Sequence, residues 1–115
     1  MEKINITDWL FKEYPIIYDG IKELDKQDLE LFSAKHKSYG MGNISMGTDL
    51  SSDEDKKLAL TALTIRINDK VQRLLNLIIK NVENPIHDEN IEDTFRDLSI
   101  YGKIATLIIR DKWKK

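Results

Sequence analysis

Apolar positions step by three and four residues along most of this chain, and nowhere do they alternate with a period of two for long enough to argue a strand. Residues 6 to 14 predict a short helix starting near Thr7 or Asp8, with a break at Pro15, whose preceding residue is held off the helical region. A second helix is expected from about Tyr18 to Lys37, on an apolar stripe of Ile17, Ile21, Leu24, Leu31 and Ala34 that Asp28 interrupts; it stops at Gly40. The run YGMGNISMGTDLSS then gathers glycines, serines and Asn or Asp, and reads as an ordered inter-helix loop. Ser51 followed by Glu54 makes a capping box, with Asp53 and Asp55 adding acid where the helix dipole favours it. From there Leu60, Leu63, Ile67, Val71, Leu74, Ile78 and Val82 hold the helical period until about Asn81 to Pro85. The last helix should begin at Asp88 to Asn90 and run toward Trp113, with Ile91, Phe95, Leu98, Gly102, Ala105 and Ile109 as a heptad-like packing seam. The pattern predicts an all-α protein, a small bundle of about four helices.

Composition narrows this further. With 115 residues the chain reads as a single domain, small enough that oligomerisation would help bury its apolar faces. A net charge of -2 supplies no global field for a nucleic-acid duplex, so any anion site must be local. The absence of cysteine excludes disulfides and thiolate chemistry within the sequence. Neither a signal peptide nor a membrane span is legible, since MEKINITDWLFKEYP carries acids and the uncharged stretch from Leu58 to Ile65 is too short to cross a bilayer. A cytoplasmic protein that binds neither membrane nor duplex is the expectation.

The candidate chemistry lies in LTIRINDKVQRLLNL. Between Leu58 and Ile79 the only charges are Arg66, Asp69, Lys70 and Arg73, and at 100° per residue they share an arc of roughly 100°. Asp69 can ladder with Arg66 and Arg73. Three cations against one anion nevertheless leave positive charge for a phosphate or for another helix's carboxylates. Such carboxylates occur in DENIEDTFRDLSIYG: Asp93 and Asp97 stand one turn apart, in line with Tyr101, Ile104 and Ile108, and Glu89 extends the strip. Magnesium is commonly held by one or two carboxylates together with substrate phosphates, so these three are the metal candidates. The plainer alternative is acid complementing a helix N-terminus. His36 and His87 lack metal-ligand spacing, although KHKSYG sets His36 and Tyr39 beside the glycine loop, where they and Asn43 can meet a base or sugar. Trp9 and Trp113 are expected to pack or to close an oligomer interface. No P-loop, GxSxG or HExxH is present, and no nucleophile has a neighbouring base in sequence.

YGMGNI, RINDKVQRLLNL and DENIEDTFRDLSIYGKIA, taken as an ordered set over about two thirds of the chain, resemble the first nucleotide modification associated domain family of phages and mobile elements. The family's pattern falls here on Tyr39, Gly40, Asn43, Ile44, Arg66, Asp69, Lys70, Arg73, Leu74, Glu89, Asp93, Thr94, Asp97, Leu98 and Tyr101. The family is similar to MazG-type all-α nucleoside triphosphate pyrophosphatases, in which bundle acids hold magnesium against a triphosphate. The resemblance implies a nucleotide ligand, a magnesium cofactor and a helical homodimer or larger assembly, in the host cytoplasm if the chain is phage-encoded. Arg66, Lys70 and Arg73 would then hold phosphate and Asp69 would orient them. Of the paired glutamates those enzymes carry on an early helix, this chain offers only Glu23 and Glu30. Three readings follow: a magnesium-dependent pyrophosphohydrolase, a protein that sequesters a nucleotide signal intact, and a structural module whose charged strips pair with each other.

Overall fold

A computed structural model describes residues 5–80 and 89–115. The expected helix end at 81–85, Val82, His87 and the side chain of Glu89 lie outside the described residues. Helices α1 (Ile6–Glu13), α2 (Pro15–Tyr39), α3 (Gly42–Ser45), α4 (Asp53–Leu75) and α5 (Glu89–Ile109) follow one another, with a π-helical turn, Asn76–Lys80, continuing α4. No strand occurs among the described residues, so the all-α expectation holds. The chain divides into two compact units, Met1–Lys35 and His36–Lys115, the boundary falling within α2.

In the first unit Asn5 caps α1, its side-chain oxygen accepting from the Thr7 N–H at 3.2 Å and the Thr7 hydroxyl at 2.7 Å. Tyr14, at φ -137°, is the break the sequence predicts. α2 restarts at once, with Pro15 in the first helical position, where its missing N–H leaves no bond unmade. The start expected near Tyr18 is therefore about a turn too late. No apolar side chain of this unit is buried among the described residues, whereas Asp28 is. Ile17, Ile21 and Leu24 stand 52%, 51% and 45% exposed.

The second unit holds the core. α4 packs against α5 and against α3. Its N-cap is Ser52, whose hydroxyl accepts from the Asp55 N–H at 3.1 Å, one residue beyond the predicted Ser51 box. Asp53, Glu54 and Asp55 line the first turn as expected. Ala59, Leu63 and Leu74 of α4 meet Ile91, Ile100, Ile104 and Ile108 of α5, and Ile44 and Leu50 close the loop side. The helices run antiparallel in a fixed register. Lys70 of α4 meets Asp97 of α5, and Lys56, fourteen residues back, meets Asp111, fourteen residues on.

Two predicted stripes shift. On α5, Phe95 and Ile109 of the expected seam are 53% and 66% exposed, and the buried line is Ile91, Thr94, Ile104 and Ile108. The period is right and the phase is off by one residue, because α5 is apolar on two faces and only the surface of α4 selects between them. On α4, Val71 and Ile78 are exposed, as are Leu58, Ile65 and Leu75, so this helix is not buried on most sides.

α5 also ends sooner than expected. Asp111, at φ 58°, breaks the helix with a Schellman pair, Lys112 N–H to Leu107 O at 2.8 Å and Asp111 N–H to Ile108 O at 3.1 Å. Trp113 then lies outside the helix and turns back: its indole N–H donates to the Met41 carbonyl at 3.3 Å and its ring stands edge-on to His36 at 5.3 Å. It is 8% exposed, so the expectation that it packs is met within the chain.

Candidate functional site

The cation strip of α4 is held at one end by the glycine loop and in its middle by α5. The loop is ordered by backbone geometry as well as by burial. Gly40 and Gly47 adopt φ of +71° and +79°, the left-handed region glycine enters freely. Met46 and Leu50 share that region, at φ 57° each, and a side chain there is strained unless its surroundings enforce it. Burial of Ile44, Ser45 and Leu50 supplies the enforcement. Thr48 fastens the turn, its hydroxyl donating to the Ser45 carbonyl at 2.8 Å and accepting from the Leu50 N–H at 3.3 Å. Asp49 accepts from the Ser51 N–H at 3.0 Å, and its carboxyl is held below the usual range by the Ser51 side chain first and the Ser51 backbone second.

The short helix α3 that results sets Asn43 against α4. Arg66 donates through one terminal nitrogen to both the backbone carbonyl and the side-chain oxygen of Asn43, each at 3.3 Å. One turn on, the Lys70 ammonium meets the Asp97 carboxylate at 3.1 Å, the two side chains being 27% and 19% exposed. Two pairs of residues named from sequence are thus brought together, Arg66 with Asn43 and Lys70 with Asp97. The others stand apart. Asp69, Arg73 and Asp93 are exposed, and no hydrogen bond or ion pair ties them to the described residues. Tyr39 is 67% exposed, and His36 is half-buried against Trp113.

What this arrangement can do follows from partner types. Asn43 is neutral, so the Arg66 charge is positioned without being cancelled. Lys70 is compensated by a carboxylate, and the pair is accessible enough to exchange partners. Arg73 extends the same edge into solvent. Among the described residues no group of three or more His, Asp or Glu is gathered as for a metal. Asp93 and Asp97 are hard oxygen donors suited in kind to magnesium, but Asp97 already faces an ammonium and Asp93 faces water. The pocket side of α4, lined by Lys56, Lys57, Thr61 and Thr64 among others, is an open cleft of about 420 Å³ away from the Arg66 edge. Nothing in the sequence singled it out.

The Trp113 contact to Met41 is a residue role that pattern reading missed. Its signal was a tryptophan three residues beyond an αL-tolerant Asp, too local a cue to name a partner 72 positions away. The fold and this strip define an all-α protein with a cationic edge on its central helix. No helix among the described residues is long and apolar enough to cross a membrane. No family model, curated protein or solved structure matches the chain.

Proposed function

We propose that the chain binds a phosphorylated nucleotide along the Arg66, Lys70 and Arg73 edge of α4, as part of a homo-oligomer. The observation that carries this reading is the geometry of the two inner cations. Arg66 is half-buried and oriented by an uncharged amide, and Lys70 sits one turn away on the same side. Fixing cations before the ligand arrives lowers the ordering cost of binding. Phosphate oxygens would take the unused guanidinium donors of Arg66, and Arg73 would close on them from solvent. Asp93 and Asp97 supply oxygen ligands for a magnesium ion brought with the phosphates. Lys70 would then turn from Asp97 to phosphate, so that each charge trades one partner for another. Tyr39, exposed beside Gly40, remains the candidate for stacking on the base.

Binding without turnover is the form of this reading the residues favour. Hydrolysis of a phosphoanhydride requires a base or metal to activate water. The described acids of α5 form no closed cluster. The structural reading draws on the same Lys70–Asp97 pair, which serves as a register pin whether or not a ligand comes. It gains nothing from Asp93, which is exposed.

A thermal-shift screen separates these. Nucleoside triphosphates, monophosphates, cyclic nucleotides and ADP-ribose are each tested with and without magnesium, and every hit is analysed for products. A true ligand at about a hundred times its Kd should add about 2.7 kcal/mol to stability. A hit returned intact marks sequestration and a hit returned cleaved marks a hydrolase. Unchanged melting throughout would leave only the structural module.

A further inference from the structure

We infer that the exposed apolar face of α1 and the first half of α2 is the contact surface for a second copy of this chain. This makes specific the assembly proposed above and rests on that part of the reading, while requiring nothing of the nucleotide. Six side chains form the face: Trp9, Phe11, Tyr14, Ile17, Ile21 and Leu24, each between 45% and 52% exposed. They are contiguous, because Trp9 meets Tyr14 edge-on at 6.0 Å, Phe11 meets Tyr18 at 5.1 Å, and the aliphatic three share one side of α2. Large side chains carry about 150–250 Å² each, so half-exposed these six present on the order of 600 Å² of apolar surface. That is most of the roughly 800 Å² each partner gives to a standard interface, and it reaches the upper end of what monomers leave uncovered.

The sequence spacing says what kind of partner fits. Ile17, Ile21, Leu24, Asp28 and Leu31 advance by four, three, four and three, the seam of a helix that pairs with a like helix. Burial along that seam changes at Asp28, which is 5% exposed, so the free portion ends at Leu24. The positions flanking the seam on one side are Gly20, Gln27 and Ala34, which bring no like charges together when two copies pair. At Gly20 an added Cβ would meet nothing within 4 Å, leaving room for a neighbouring backbone. A helix interior tolerates glycine at a cost of about 1 kcal/mol relative to alanine, and the chain's own packing gives no reason for it here. A lipid surface fits less well. Interfacial helices are rich in Lys and Arg, whereas this segment sets Asp8, Glu13, Asp19 and Glu23 against Lys12 and Lys22.

The test is the solution mass of the full chain without nucleotide, by light scattering over a concentration series, for wild type and for Ile21→Lys/Leu24→Lys. Both positions are half-exposed in the single chain, so the variant keeps its fold, which circular dichroism verifies. The expected result is a wild type of twice the 13.4 kDa chain mass and a variant at the chain mass, its dimer weakened at least about a hundredfold. A wild type that stays monomeric overturns both the surface and the assembly. A wild type that is dimeric together with an equally dimeric variant overturns the surface alone. Flotation of a monomeric wild type with phosphatidylcholine–phosphatidylglycerol vesicles overturns it in favour of a membrane.

Discussion

Ile108→Ala is expected to lower the stability of the His36–Lys115 unit by about 3 kcal/mol, near the middle of the range for removing a large aliphatic side chain from a closed core. Ile108 is 1% exposed, on the line of α5 that faces α4, and three of its neighbours in that line, Ile91, Thr94 and Ile104, are also buried. The cavity cannot collapse easily because the antiparallel register is pinned on either side, at Lys70–Asp97 and Lys56–Asp111. Urea unfolding followed by circular dichroism should show the midpoint falling with its slope unchanged. Ile109→Ala is the control. That residue is adjacent in sequence and 66% exposed, so its loss should move stability by less than about 0.5 kcal/mol. Equal effects at the two positions would mean that α5 packs by the other face, the Phe95–Leu98–Gly102–Ala105–Ile109 seam.

Trp113→Ala is expected to cost about 3 kcal/mol as well, at the low end for a buried tryptophan because the residue lies in the C-terminal tail. Two contacts are lost, the hydrogen bond to the Met41 carbonyl and the edge-on packing against His36. Trp113→Phe keeps a ring in place and drops the indole donor, so about 1 kcal/mol should separate it from wild type. The consequence for the site is what makes the substitution informative. Met41 begins the turn that carries Asn43, and Asn43 orients Arg66. Loosening Trp113 should therefore weaken nucleotide binding although the residue touches no ligand. In a Trp9→Phe background the emission of Trp113 should be blue-shifted and should move to the red on unfolding. A solvent-like emission in the folded protein would refute the contact.

The helices were legible because their signals are local. Ser52 with three acids after it, Pro15 after a strained Tyr14 and the three- and four-residue apolar steps each act within a turn or two. What could not be read was phase. α5 carries apolar residues on two faces, and the choice of Ile104 and Ile108 over Gly102 and Ile109 is made by Ala59, Leu63 and Leu74 on a different helix. The cation strip was visible for the same reason as the helices, since Arg66, Lys70 and Arg73 are spaced by turns of one element. Its partners were only half visible. Asp97 was named as an acid, but its match with Lys70 depends on the α4–α5 register, which no single helix encodes. Asn43 was named for a base or sugar and instead holds Arg66, because the short helix α3 and its left-handed residues bring the loop onto α4.

The binding edge is tested most directly by calorimetric titration of ATP, and separately of inorganic pyrophosphate, into wild type and into Arg66→Ala/Lys70→Ala at low salt. Each lost charge-assisted bond is worth about 1.5–3 kcal/mol, roughly tenfold or more in affinity. Saturable binding by wild type that weakens at least about a hundredfold in a still-helical double variant is the predicted result. Wild type giving no saturable heat with either probe, or binding equally tight in both proteins, would contradict it.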